Sequence, residues 1–368
     1  MNRTIYVKAA TCLGVVLALG AGRALTSAAD GAEPAMVDLT KWTPPSVSSL
    51  GDDPFGKLAK YGHALMVDTA NQIGPAAADP AKRFSGNNLT CQNCHLKAGT
   101  QPYSMPLTGV WGQFPQYRGR EGEIGTLEER INGCMERSMS GRALPLDGLE
   151  MKAYLAYMKW LSTGIPDGAK LTGAGSMSVK EPDRAVDLGH GEQVYAQTCA
   201  ACHGKDGLGQ RAATGNGYQF PPLWGPDSYN NGAGMTRVLN AAAFVKHNMP
   251  FGTTFDAPVL TDADAYDVAG YINSKERPVR ANLDKDFPRK LQKPVDTPYG
   301  PYADGIDPKQ HKFGPFGPIR AKVRELQAAA AAKSRYYATT ALPLPLAGEG
   351  ASVRRPTVQY APYGLTYL

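Results

Sequence analysis

Two pentapeptides constrain this chain more than anything else in it: Cys91-Gln92-Asn93-Cys94-His95 and Cys199-Ala200-Ala201-Cys202-His203. Two residues between the cysteines match the separation of the two haem vinyl groups. A histidine directly after the second cysteine is carried beneath the porphyrin to the iron. The bland alternative is a zinc or redox Cys-x-x-Cys that happens to precede a histidine. Two copies on an exported chain leave that alternative little room. The expectation is two covalently attached c-type haems, bonded through Cys91, Cys94, Cys199 and Cys202 and ligated by His95 and His203.

Export is read from the N-terminus. Arg3 and Lys8 precede an apolar run from Ala9 to Gly20, which is too short to span a bilayer, and small residues follow at Ser27, Ala28 and Ala29. Residues 1–29 are therefore expected to be a signal peptide, with an uncleaved anchor as the competing reading. The mature protein is expected in the periplasm, with no stable membrane insertion after cleavage. Of six cysteines, Cys12 leaves with the signal and four hold haem, so Cys134 is the odd thiol. A net charge of +6 suits anionic small molecules or acidic partners. No stretch interleaves basic and aromatic residues as a nucleic-acid binder does, so no nucleic acid is expected.

The apolar periodicity predicts helices and little else. Residues 30–52 are polar and rich in Pro and Ser, and read as a lead-in strand or coil. A helix from about Pro54 carries Leu58, Tyr61 and Leu65 on one face and ends near Gly74-Pro75. Residues 96–125, dense in Gly, Pro and aromatics, read as irregular. Thr126 with Glu129 opens a helix that carries Arg130 and Cys134. Asp147 and Glu150 open another, with Met151, Tyr154, Leu155, Met158 and Leu161 on its core stripe. The pattern repeats after the aperiodic stretch 163–183: a helix leads into the second motif, another runs from about Gly234 to His247, and Thr261 with Asp264 opens a closing helix. The expected fold is all-α, with two cytochrome c-like haem domains in tandem, 30–170 and 184–275. A largely irregular but ordered arm, 276–325, follows, and then a mobile tail, 326–368.

Each iron needs a ligand opposite its histidine, and that ligand sets potential and reactivity. In the second half Met249 is the choice, on a loop stiffened by Pro250, with Met235, Lys246 and His247 as competitors. For Met235 and His247 the bland readings are helix packing and solvent exposure. In the first half Met105, Met135 and Met139 are candidates, but Cys134 is the more interesting one: a thiolate stabilises ferric iron and lowers its potential. A buried, inert thiol is the competing reading. Arginines and glutamates alternate through 117–138, which is ordinarily a solvated, salt-bridged face. On a helix, however, Arg130, Cys134 and Ser138 stand four residues apart and project on one side. An arginine, a thiolate and a hydroxyl beside a haem suit a small oxyanion.

The chain resembles the dihaem thiosulfate dehydrogenases of sulfur-metabolising bacteria. The likeness runs through Asn88-Leu89-Thr90-Cys91, Phe114-Pro115-Gln116-Tyr117-Arg118 and Leu127 to Cys134, then Arg137-Ser138-Met139 and Leu144-Pro145-Leu146. It continues at Lys246 to Pro250 and Pro294 to Tyr302, and spans about residues 50 to 325. It implies that His95 and Cys134 are the axial ligands of a catalytic first haem. His203 and Met249 would then hold an electron-relay second haem. Arg120, Arg130 and Ser138, with Arg118 beside them, match family positions near the substrate. Some relatives place a lysine just before the methionine; here that residue is Asn248, which implies plain His/Met ligation.

The reaction implied joins two thiosulfate ions into tetrathionate. Two electrons pass through the second haem to a periplasmic acceptor, and reversal would make the protein a tetrathionate reductase. Cys134 has two roles open to it: tuning the iron, or forming a transient sulfur–sulfur bond with substrate. The rival from another class is a non-catalytic dihaem electron carrier. A dihaem peroxidase gives Cys134 no role.

Overall fold

The structure, a computed structural model, describes residues 33–340. The expected signal segment, with Cys12, lies outside the described residues. So do the Leu-Pro repeats and Arg354-Arg355.

The lead-in segment supplies β1 (Met36–Asp38). Asp53 caps α1 (Pro54–Val67), accepting from the N–H groups of Phe55 and Gly56, with Pro54 at the first helical position. The helix breaks at Asp68 and resumes as α2 (Thr69–Ile73), so the expected single helix is two pieces. The first haem motif follows on a tight turn. The stretch after it is a one-turn element, α3 (Leu96–Gly99), in which Lys97 and Ala98 have left-handed backbone angles. Next comes an antiparallel ribbon, β2 (Gln116–Arg118) with β3 (Glu123–Gly125), which periodicity did not reveal because each strand is three residues long.

Helix α4 (Leu127–Arg137) begins where its capping box predicts, with Thr126 and Glu129 satisfying each other's backbone N–H. Helix α5 (Leu149–Leu161) is capped by Gly148, not by Asp147. Its Glu150 turns inward and accepts from the Tyr61 hydroxyl at 3.1 Å. Strand β4 (Lys170–Thr172) pairs in parallel with β1.

The second half repeats the plan. Helix α6 (Leu188–Val194) runs through a π-turn, Tyr195–Cys199, into α7 (Ala200–His203), which delivers the second motif. A short ribbon, β5 (Gln210–Arg211) with β6 (Tyr218–Phe220), leads to α8 (Val238–Asn248) and α9 (Asp262–Ser274). The Thr261–Asp264 capping box opens α9 as expected.

Each half crosses its first and last helices at a glycine. A Cβ on Gly62 of α1 would lie 2.1 Å from the Ala153 carbonyl oxygen of α5, and one on Gly191 of α6 would lie 2.2 Å from the Asp267 carbonyl oxygen of α9. Only glycine lets two helices approach that closely. Around the first crossing Leu65, Met66, Met151, Tyr157 and Leu161 are at most 1% exposed. Around the second Val238, Ala265, Tyr266 and Val268 are fully buried. Each large side chain of this kind contributes about 1.5–3 kcal/mol by burial.

Residues 276–340 contact both halves. Asp286 takes two bonds from Arg137, at 2.9 and 2.7 Å, and Gln292 accepts from the Tyr117 hydroxyl at 2.7 Å. Asp296 pairs with Arg237 at 2.7 Å, and Phe316 and Ile319 enter the second core. The end of this segment is helical: α10 (Pro308–Phe313) and α11 (Gly317–Thr340). Helix α11 continues through the five alanines Ala328–Ala332, inside the segment expected to be a tail. Alanine has the strongest helix propensity of any residue, and Phe316 with Ile319 anchors the start of the helix.

Candidate active site and haem sites

Both proximal histidines are held in the same way. His95 Nδ1 lies 2.6 Å from the Met105 carbonyl oxygen, and His203 Nδ1 lies 2.7 Å from that of Pro221. A ring that donates from Nδ1 leaves Nε2 as a neutral lone pair for a metal. All four motif cysteines are half-buried and none is in a disulfide; Cys91 packs on the first core and Cys199 on the second. Burial pushes Cys94 up to about 12 and Cys199 up to about 11. Among the described residues no three His, Cys, Asp or Glu side chains converge as metal ligands. Paired thiols beside a pre-oriented imidazole fit covalent haem in both halves.

The candidate distal residues of the first half lie on α4. Its four-residue spacing sets Arg130, Cys134 and Ser138 along one side, and Arg130 Nη1 donates to Cys134 Sγ at 2.6 Å. Burial opposes ionisation of that thiol. The Arg130 charge, together with a hydrogen bond and charge from His95, outweighs burial and brings Cys134 down to about 6. Arg130 is raised in return, chiefly by the thiolate. Arg118 arrives on β2. Burial and the Arg130 charge push it down, while Glu121 and Cys134 hold it up. The fold thus brings His95, Arg118, Arg130 and Cys134 together around one thiolate.

The other two expected residues stand differently. Ser138 caps α4, its N–H donating to the Cys134 carbonyl, and its own carbonyl accepts from Asn87 Nδ2 at 3.0 Å. Arg120 faces a buried network instead. Its Nε is 3.9 Å from Asp286, its Nη1 donates to the Gly232 carbonyl at 3.5 Å, and its guanidinium lies over the Phe287 ring. Arg137 takes the better share of Asp286, and Tyr299 donates to the same carboxylate at 2.7 Å. Sequence reasoning missed this network, because nothing in the local pattern ties residue 137 to residue 286. Met135 and Met139, two rival ligands, are core side chains, 2% and 4% exposed.

In the second half Met249 ends α8 and packs against the second core. Its competitors are occupied. Lys246 Nζ pairs with Asp262 at 2.6 Å, and Met235 packs where the two cores meet. His247 was expected in solvent under its bland reading. It is 4% exposed, with Nδ1 bound back to the Ala243 carbonyl at 2.9 Å. Asn248 binds Gln101 at 2.8 Å and the Tyr103 carbonyl at 3.3 Å.

Comparison with known proteins agrees with this division. Residues 81–166 match the SoxA/TsdA cytochrome c domain, and residues 189–276 match cytochrome c. The thiosulfate dehydrogenase of Stutzerimonas stutzeri is 43% identical over 64% of this chain and 72% of its own length. That of Allochromatium vinosum is 43% identical over 67% of this chain and 87% of its own. Among solved structures, the thiosulfate dehydrogenase TsdBA from Marichromatium purpuratum superposes with a TM-score of 0.60 at 37% identity. The match covers 66% of this chain and 51% of that one, so the chain spans about half of that longer protein. Two cytochrome c domains in tandem, each with its own c-type haem, place this chain in the thiosulfate dehydrogenase family.

Proposed function

We propose that this protein oxidises two thiosulfate ions to one tetrathionate. It would act in the periplasm and pass two electrons through the second haem to an external acceptor. The reaction balances as two S2O3 dianions giving one S4O6 dianion and two electrons. The observation that carries the proposal is the convergence of Arg130, Arg118 and His95 on the Cys134 sulfur. Bound haem supplies one-electron acceptance, and two haems together match the two electrons released.

The side chains have an electrostatic task. Two dianions about 4 Å apart repel by on the order of 15 kcal/mol at an effective dielectric of 20. Guanidinium groups offset this by binding sulfonate oxygens through charge-assisted bonds, roughly twice as strong as neutral ones. In this reading Arg130 binds a sulfonate and also holds Cys134 as an anion, which its 2.6 Å bond to the sulfur supports. In the proposed roles Cys134 and His95 are the ligands of the first iron, and His203 and Met249 are those of the second. Arg118 and Ser138 border the substrate, and Arg120 lies one layer behind it. A thiolate that is ionised near neutral pH is also competent to bond a sulfane sulfur.

The test is turnover of the purified dihaem protein with thiosulfate and an artificial one-electron acceptor. The expected result is one tetrathionate per two thiosulfates consumed. No thiosulfate-dependent reduction, with both haems reducible by dithionite, would leave only an electron carrier.

A further inference from the structure

Glu121 lies in the turn between β2 and β3, where the Gly122 N–H donates to the Arg118 carbonyl at 2.7 Å. Its Oε2 accepts from Arg118 Nε at 3.3 Å. The same charge acts on Arg130, which the Cys134 thiolate raises first and Glu121 raises further. It also acts on Arg120, which burial lowers and which Tyr299, Asp286 and Glu121 support. One carboxylate therefore bears on all three arginines expected near the substrate. It is not locked in: its side chain is 38% exposed and borders a cavity of about 140 Å³, together with Arg118, Glu123, Gly125 and Glu129. Glu129 is committed to the Thr126 N–H at 2.7 Å, so it does not compete for Arg118.

We propose that Glu121 is a built-in competitor for the substrate anion. It occupies the arginine cluster in the resting protein and turns out toward water when a sulfonate takes its place. A guanidinium donates to carboxylate and sulfonate oxygens alike, so a sulfonate that takes the Arg118 Nε–H displaces Glu121 from it. Glu121 thus weakens every anion that needs the cluster by a common factor, a threshold that weakly bound anions fail to cross. The identity of the anion rests on the proposed function; the competition itself does not.

The test is Glu121→Gln in the full dihaem protein, which keeps size and hydrogen bonding and removes the charge. The KM for thiosulfate should fall about threefold, the scale of a partly exposed ion pair, with kcat unchanged. Sulfate, titrated by calorimetry without turnover, should bind about threefold tighter, and nitrate should gain by the same factor. Glu121→Asp, one methylene shorter, should fall between the two. If Glu121 instead braces Arg118, KM will rise and sulfate binding will weaken; that result, or no change in either, overturns the proposal. Absence of tetrathionate from the wild-type protein would defeat the proposed activity, while the sulfate comparison would still test Glu121.

Discussion

The two halves of this molecule agree on one side of the haem position and differ on the other. Proximally they match: each motif histidine gives Nδ1 to a backbone carbonyl, at 2.6 and 2.7 Å, and each half crosses its first and last helices at a glycine. On the proposed distal side, the first half offers the half-buried Cys134 sulfur, bonded by Arg130 at 2.6 Å. The second offers a thioether, with the nearby Lys246 neutralised by Asp262. A shared scaffold fixes how the haem is held. In the proposed function the distal side chains separate an anion-binding half from an electron-relaying one, because a thiolate beside a guanidinium and a neutral thioether stabilise different species.

The largest expected effect comes from removing the difference itself. Cys134→Ala should lower thiosulfate oxidation by roughly a thousandfold or more, on the scale of losing a group that acts as a unit with its neighbours. Both haems should remain attached, as counted by pyridine haemochrome. Unchanged turnover would make the halves functionally alike.

Arg130→Gln should cost roughly a hundredfold in kcat/KM, comparable to losing one donor to developing charge, and should raise the apparent pKa of the Cys134 thiol. Kinetics alongside a pH titration of the first haem's spectrum separate the two consequences.

Met249→Ala tests the other half. The second haem's potential should fall by on the order of 0.1 V, within the roughly 0.8 V that axial ligands command. The first haem's spectrum should stay as it was. A spectroelectrochemical titration in which both haems shift together would break the division of labour.

The smallest effect lies outside both halves. Lys293 is 6% exposed, with its ammonium 4.9 Å from the Tyr299 and Tyr302 rings. Burial, helped by Lys290, lowers it to about 8 from 10.5. Between those values the unfolded chain binds the proton and the folded one does not. Lys293 therefore costs stability below pH 8, and the cost is relieved as pH rises toward 10.5. Relative to Lys293→Met, wild-type stability should gain on the order of 1 kcal/mol between pH 8 and 10 in urea unfolding, because the rings recover part of the desolvation. A flat difference would mean that the cage fully compensates.

Much of this was legible in the residues. The capping boxes at Thr126 and Thr261 predict helix starts because they are local chemistry, complete within four residues. The spacing of Arg130, Cys134 and Ser138 predicts one helical side for the same reason. The β2–β3 ribbon was not legible, since three-residue strands carry no period. Asp147 failed as a cap because Gly148 takes that place. The helix through Ala328–Ala332 is not legible from periodicity, since a run of alanines has none.

By itself the sequence determined the chemistry that adjacent residues can specify: two haem attachments, two helical repeats, and a thiol with an arginine one turn away. Tertiary structure alone decided which charges meet across distance. It set Arg118 beside Arg130, turned Arg120 toward Asp286, and put Glu121 within the field of all three arginines. The physical reason is range. Covalent attachment and helix capping are settled over a few bonds, whereas the balance of charge in a buried pocket depends on segments that only the folded backbone brings together.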